Sequence, residues 1–352
     1  MQASDARFFA RAIRECNKSA DCGFNETRYG IRVSWPGVRV RIVLFHRKYR
    51  RLHGGHLKVW HYFNHVLSAP GFDARVQFDP GSSWDKTNPW TQMAERVIHS
   101  GNDLNPDVLF VAGRDWQRLD GLGLLDRGIP ILNLIQHVRH AADWSIQSAY
   151  LDRKAIRLCV SQEVADAVAE AGSRGPTIVI PNGVDVPAVA LDLPSLRPVD
   201  LLIAGLKQPV LAGRAAQQLT APGRSIEVLT EHVPRDDFLD AMRRARVTLF
   251  LPNEEEGFYL PALEGMALET IVVCPDCVGN RSFCIPGVNA FRPEFRFDDI
   301  VQDAETALGL EQPSASALLR GATETARNHS LEVEREKFHQ VLAELDALWA
   351  NS

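Results

Sequence analysis

Glu256 and Glu264 are the residues whose type and spacing most invite chemistry: two carboxylates eight positions apart, with Gly257 and Pro261 between them. Just upstream, residues 247–251 form an uninterrupted apolar run, the pattern of a buried parallel strand. Gly257 marks a turn. Pro261 marks the first turn of a helix, where a missing N–H costs nothing. The pattern therefore predicts a strand, an acidic loop and a helix N-terminus whose free backbone N–H groups can hold an anion. Glu256 would lie on the loop and Glu264 a turn inside the helix, so that both face one pocket from two sides. An anion here needs more than amides. A cation about 4 Å away contributes roughly 4 kcal/mol at an effective dielectric near 20, whereas a helix N-terminus adds about 0.3–2 kcal/mol. At least one Lys or Arg is expected nearby.

Residues 256–264 read E-G-F-Y-L-P-A-L-E, and residues 178–185 read I-V-I-P-N-G-V-D. Together, separated by roughly seventy residues, these strings resemble the signatures of retaining nucleotide-sugar glycosyltransferases of the two-Rossmann type (GT-B fold, glycosyltransferase family 4). The resemblance runs from about residue 40 to the end and is strongest in the second half. It implies an α/β protein with two Rossmann-like domains whose parallel sheets face each other across a cleft. It also implies transfer of a hexose-type sugar, with retention of configuration, onto a glycan or lipid-linked acceptor, in surface polysaccharide or glycoconjugate synthesis. The nucleotide-sugar is a substrate; no cofactor and no metal is expected.

Residue by residue, the resemblance assigns Glu264 to the vicinal ribose hydroxyls, a task that suits the two acceptor oxygens of a carboxylate. Glu256 would stand beside the reacting sugar, and backbone N–H groups of Gly257, Phe258, Tyr259 and Leu260 would meet phosphate or sugar. His137, after a first-domain strand, would touch the donor sugar, with His140 as its competitor. Gly54-Gly55 would let backbone approach the substrates, although a tight turn explains the pair equally well. The chain departs from the family in two places. Leu206 stands where an Arg is usual, so Lys207 and Arg214 are the expected diphosphate clamp. The usual Gly-Gly and Glu of a later loop are also replaced by Gly279-Asn280-Arg281. Two rival readings remain: a nucleotide-sugar 2-epimerase, and a sugar-nucleotide-binding subunit without turnover, which Leu206 makes conceivable.

The elements that would position these groups follow from periodicity. A strand over 38–45 leads into the basic loop 46–51, whose Arg47 and Lys48 are acceptor-side candidates. A helix follows, with Leu57, Trp60, Phe63, Asn64 and Leu67 on one face. Further strands are expected at 74–78, 108–112, 129–134 and 157–161, and Ser161 reads as a helix N-cap. The second unit opens with a strand at 199–205, followed by strands at 225–229 and 270–274 around a helix at 236–245. Ser330 caps a last helix whose apolar stripe reaches Trp349. The implied domains are an extension at 1–37, a first Rossmann-like domain at 38–186 and a donor-binding domain at 187–330. The Pro-rich run 186–198 is the linker, and the helix at 331–352 packs back on the first domain.

Length and composition agree with two soluble domains: 352 residues, 45% hydrophobic and 24% charged. No apolar run approaches the roughly 20 residues of a bilayer span, and a cytoplasmic protein is expected. Net charge is −5, yet the first 58 residues carry thirteen basic and four acidic residues. That asymmetry is a solvated basic face or an attraction to an anionic membrane surface or a phosphate-bearing acceptor. No nucleic-acid motif accompanies it. His61 and His65 lack a third metal ligand, and Cys274, Cys277 and Cys284 lack a fourth, so packed side chains are expected at both places.

Overall fold

Alternating strands and helices build two parallel sheets in the computed structural model, which describes residues 24–27, 30–33, 39–98, 105–185 and 197–352. A short antiparallel ribbon, β1 (Phe24–Thr27) with β2 (Gly30–Val33), precedes them. The first sheet has seven parallel strands in the order β5-β4-β3-β6-β7-β8-β9. They are β3 (Arg41–Arg47), β4 (Phe72–Phe78), β5 (Val97–Ile98), β6 (Val108–Ala112), β7 (Ile131–Ile135), β8 (Ile156–Cys159) and β9 (Thr177–Val179). The second has four, ordered β11-β10-β12-β13: β10 (Val199–Ala204), β11 (Ile226–Leu229), β12 (Ala245–Phe250) and β13 (Ile271–Val273). The two-sheet α/β class expected from the sequence is the observed one. Residues 1–23 of the expected N-terminal extension and residues 186–196 of the expected linker lie outside the described residues.

Central strands are apolar throughout because helices cover both faces. All five residues of β6 and of β7 are buried. Asn133 interrupts β7 without cost to satisfaction, since its Nδ2 donates to Val111 O (3.1 Å) and its Oδ1 accepts from buried Arg157 (2.7 Å). In each sheet strand order reverses at one point, between β3 and β6 and between β10 and β12. Ligands of open parallel sheets bind beyond the strand C-termini at such points. One apolar core includes residues of both sheets, from Val43 and Phe110 to Phe250 and Leu263.

Helix α1 (Gly54–Ser68) follows β3 and α2 (Asp115–Gly121) follows β6. In α1, Phe63 of the expected face is fully buried, while Leu57, Trp60, Asn64 and Leu67 are only half-buried. Its deepest residues are Val59, Tyr62, Phe63 and Val66, together with Lys58, His61 and His65. The reason is a second neighbour: α9 (Leu331–Ala343) packs on α1, with the Phe338 ring edge-on to Tyr62 at 4.8 Å. Ser330 caps α9 as expected, but the helix breaks at Glu344 before α10 (Leu345–Ala350). Glu334 of α9 is buried and pairs with Lys58, while its Oε1 meets His65 Nε2 at 2.9 Å. Lys58 also donates to Gly183 O (3.0 Å), and Gly183 N donates to Glu334. The segment leaving the first sheet is therefore held from both sides by α1 and α9. Ser161 caps α3 (Gln162–Glu170), its Oγ accepting from Val164 N. No helix among the described residues is long and apolar enough to cross a membrane.

Candidate functional site

Two loops meet at the site, one from each sheet. From the second sheet, β12 ends at Phe250 and the chain runs through 251–259 into α6 (Leu260–Ala267). From the first, β7 ends at Ile135 and leads to Gln136 and His137. A Cβ placed on Gly257 would stand 2.0 Å from Gln136 O and 2.7 Å from His137 Cα. Only a glycine permits this approach, and it seats the acidic loop against the first sheet. The first turn of α1 joins them: a Cβ on Gly54 would lie 3.8 Å from Leu260 Cδ1, and Gln136 Nε2 reaches Gly55 O at 3.5 Å. Gly54, Gly55, His137 and residues 257–260, separate in sequence, thus converge on one crevice.

Both carboxylates act on Tyr259 of this loop. Glu256 accepts from Lys207 Nζ, and Lys207 lies 5.5 Å over the Tyr259 ring. Glu264, in the second turn of α6, is 6% exposed. Its Oε1 accepts from Arg235 Nη2 at 2.7 Å, and no hydrogen bond among the described residues engages its Oε2. Burial pushes the Glu264 carboxyl above its ordinary range, while Arg235 and Lys58 oppose that shift. Tyr259 stands between the two acids: burial first, then nearby thiols and both carboxylates raise its phenol.

His137 is lowered to about 4 by burial, then by Arg139 and Lys207. It is neutral near pH 7. Its Nδ1 accepts from Arg139 N at 3.1 Å, so the ring proton sits on Nε2, free to donate. His140 lies 6.1 Å away ring to ring and is likewise lowered to about 4 by burial.

Three expectations need correction. Arg214, on α4 (Pro209–Leu219), lies 4.2 Å over the Phe297 ring at the start of α7 (Phe297–Leu308). Its guanidinium is thus engaged by a ring of the neighbouring helix. Of the four loop amides, Tyr259 N donates to Gly279 O (2.9 Å) and Leu260 N to Phe258 O (3.1 Å), while those of Gly257 and Phe258 have no acceptor among the described residues. Phe258 and Tyr259 direct their side chains into the core. Arg47 is not a free loop base. It ends β3, pairs in register with Phe78, and is buried, with Nη1 on Asp115 (2.7 Å) and Nη2 on His56 Nδ1 (2.7 Å). It fixes the first turn of α1 from behind. Lys48 is exposed, as are Arg50 and Arg51.

Sequence reasoning missed Arg235 and Gln136, which lie in no motif and are recruited by folding alone. Cys274, Cys277 and Cys284 are buried free thiols, and no cluster of metal-ligand side chains occurs among the described residues. In the departing loop, Asn280 caps its own turn: Oδ1 accepts from Cys277 N and Nδ2 donates to Pro275 O (2.9 Å). Gly279 packs under Glu256, where a Cβ would lie 2.8 Å from Glu256 O.

Neither protein-family models nor curated sequences match the chain. Solved structures do. A crystal structure of Anabaena HepE in complex with UDP and glucose superposes with a TM-score of 0.67 at 12% identity, over 86% of this chain and 100% of that one. Sucrose-phosphate synthase from Thermosynechococcus elongatus gives 0.65 at 14% identity, over 88% and 100%. The lipopolysaccharide outer core galactosyltransferase WaaB in its apo form gives 0.64 at 12% identity, over 87% and 99%. The shared feature is the fold, two parallel-sheet units in the GT-B arrangement.

Proposed function

We propose that the protein is a glycosyltransferase that moves a sugar from a nucleotide-sugar donor to a glycan or lipid-linked acceptor with retention of configuration. The observation that carries this reading is the contact of the acidic loop with the first sheet at Gly257, Gln136 and His137, beside the Lys207–Glu256 pair, with Glu256 and Glu264 both acting on Tyr259. Structures of the same fold hold UDP and glucose in HepE, which supports a nucleotide-sugar ligand.

In this reading Glu264 accepts hydrogen bonds from the ribose hydroxyls. The free amides of Gly257 and Phe258 and the ammonium of Lys207 receive the diphosphate. Lys207 must then leave Glu256, which becomes free to orient sugar hydroxyls or to face positive charge at the anomeric carbon. His137 Nε2–H donates to a sugar hydroxyl. The departing diphosphate gains charge as the glycosidic bond breaks, and a nearby ammonium stabilises that state more than the ground state. Lys207 takes the part a metal ion could play, so turnover is expected to persist in EDTA. Exposed Lys48, Arg50 and Arg51 are the acceptor-side bases, suited to a phosphate-bearing acceptor or to contact with an anionic membrane surface. The domain boundary belongs to this reading at about residue 186.

The test is nucleotide release from UDP-, GDP-, dTDP- and ADP-sugars, with and without extracted lipid acceptors, followed by NMR of the product anomer. Release with an α-linked product from an α-linked donor supports the reading; no binding of any of the four overturns it. One observation favours a second reading. Lys207 is engaged by Glu256, and Arg214 is turned to Phe297, which leaves the leaving group one base. A sugar-nucleotide-binding subunit would bind donor without releasing nucleotide.

A further inference from the structure

Arg235 lies in none of the motifs discussed above. It opens α5 (Arg235–Arg244), directly after Pro234, whose φ of −52° sets the helix entry. Its Nη2 is shared between Glu264 Oε1 at 2.7 Å and Asp185 O at 3.2 Å, and its Nε is buried without a hydrogen-bond partner. Asp185 closes the segment leaving the first sheet, the same segment whose Gly183 is clasped by Lys58 and Glu334. Lys58, the other cation acting on Glu264, is committed to Glu334 and Gly183 O. Direct contact with the Glu264 carboxylate therefore falls to Arg235.

We infer that Arg235 is a positioning residue for donor binding: its guanidinium fixes the Glu264 carboxylate against the segment at Asp185, leaving Oε2 presented to the ribose hydroxyls. This rests on the donor-site reading of Glu264 given above. The guanidinium suits the task, because the two hydrogens of one rigidly held Nη2 bridge two acceptors that belong to different elements. An alkyl side chain would leave a carboxylate that is 6% exposed without its nearest cation. Such a carboxylate turns or takes up a proton. The groups facing Glu264 are Arg235 from α5, Lys58 from α1 and Tyr259 from the preceding loop, with His61 of α1 facing Arg235. Burial already raises the Glu264 carboxyl, so loss of Arg235 raises it further and donor affinity of the variants should weaken more than that of wild type as pH falls.

The experiment is calorimetric titration of the full chain with UDP, GDP and ADP, each beside its 2′,3′-dideoxy form. Wild type is expected to bind the best diphosphate about tenfold more tightly than its dideoxy form, the size of a charge-assisted hydrogen-bond pair. In Arg235→Met, which keeps the aliphatic stem, that preference should shrink to about twofold, with dideoxy affinity unchanged. Arg235→Lys should fall between, and donor KM should rise in both with kcat within about twofold. If Arg235→Met does not fold, Arg235→Lys carries the same comparison. A full tenfold preference surviving in the variants overturns the role of Arg235 and leaves the proposed function standing. Equal wild-type affinity for ribose and dideoxyribose forms overturns the Glu264 grip and this inference with it. Failure of wild type to bind any of the three, and dTDP as well, removes the proposed function itself.

Discussion

Gly257 lies so close to Gln136 that a Cβ on the glycine would stand 2.0 Å from the Gln136 carbonyl oxygen. This contact brings the acidic loop of the second sheet onto the end of β7 in the first. Gly257→Ala should therefore disturb the crevice itself. A backbone carbonyl cannot swing aside as a side chain would, so the loop must shift. Stability should fall by about 1–3 kcal/mol in urea unfolding, and sugar transfer should fall at least about tenfold. Wild-type turnover in this variant would show that the contact does not shape the site.

Lys207 and Arg214 should part company. The Lys207–Glu256 pair is half open to solvent on the lysine side, at 43% side-chain exposure, so its loss should change stability by less than about 1 kcal/mol. Its effect on kcat should be far larger, about a hundredfold for Lys207→Ala, if the ammonium meets the departing diphosphate. Arg214→Ala should leave kcat within about twofold, because that guanidinium lies on Phe297. Steady-state kinetics of the two variants decides both points.

Glu264→Ala should raise the donor KM about 10–100-fold, the worth of one or two hydrogen bonds to a charged group. Because Arg235 then loses its partner, unfolding free energy should also drop by about 1–3 kcal/mol. An unchanged KM in a folded variant removes the ribose role.

The buried pair of Lys58 and Glu334 should show strong coupling. Lys58→Met strands the Glu334 carboxylate, which is held in the lower part of its range by Lys58 and His65 against the effect of burial. Such a loss costs about 3–5 kcal/mol. Lys58→Met with Glu334→Gln keeps an acceptor for Gly183 N–H but removes the charge, and should recover at least half of that loss. Simple additivity of the two single changes in denaturant titration would contradict this.

The pH dependence of stability should follow the buried histidines. His46 is 2% exposed, neither ring nitrogen has a hydrogen-bond partner, and burial lowers it to about 4. Its folded pKa lies below the unfolded value of 6.5, so the unfolded chain binds the extra proton between those limits. Stability is therefore complete above pH 6.5 and is lost as pH falls toward 4. His46→Leu removes this proton site. It should reduce the stability lost between pH 7 and pH 5 by about 2 kcal/mol, read from urea midpoints at the two pH values. An unaltered slope would mean that His46 keeps its proton when folded.

The sequence by itself determined the alternation of strand and helix and the strand–loop–helix turn around 256–264, because these are local. Apolar runs at β6, β7, β10 and β12 report helices on both faces, Pro261 sets a helix start, and Ser161 and Ser330 cap helices within three residues of themselves. Local pattern also placed Glu256 on a loop and Glu264 on a helix. Partner choice was another matter. That Arg47 is buried against Asp115, that Arg214 turns to Phe297, and that Arg235 reaches both Glu264 and Asp185 depend on which elements pack together. The partners of Arg47 and Glu264 are 68 and 29 positions away in the chain, and the Lys58–Glu334 pair spans 276. No periodicity encodes such pairings. Only the packing of elements that are distant in the chain decides them, through burial that makes an unpaired charge too costly and so selects its partner.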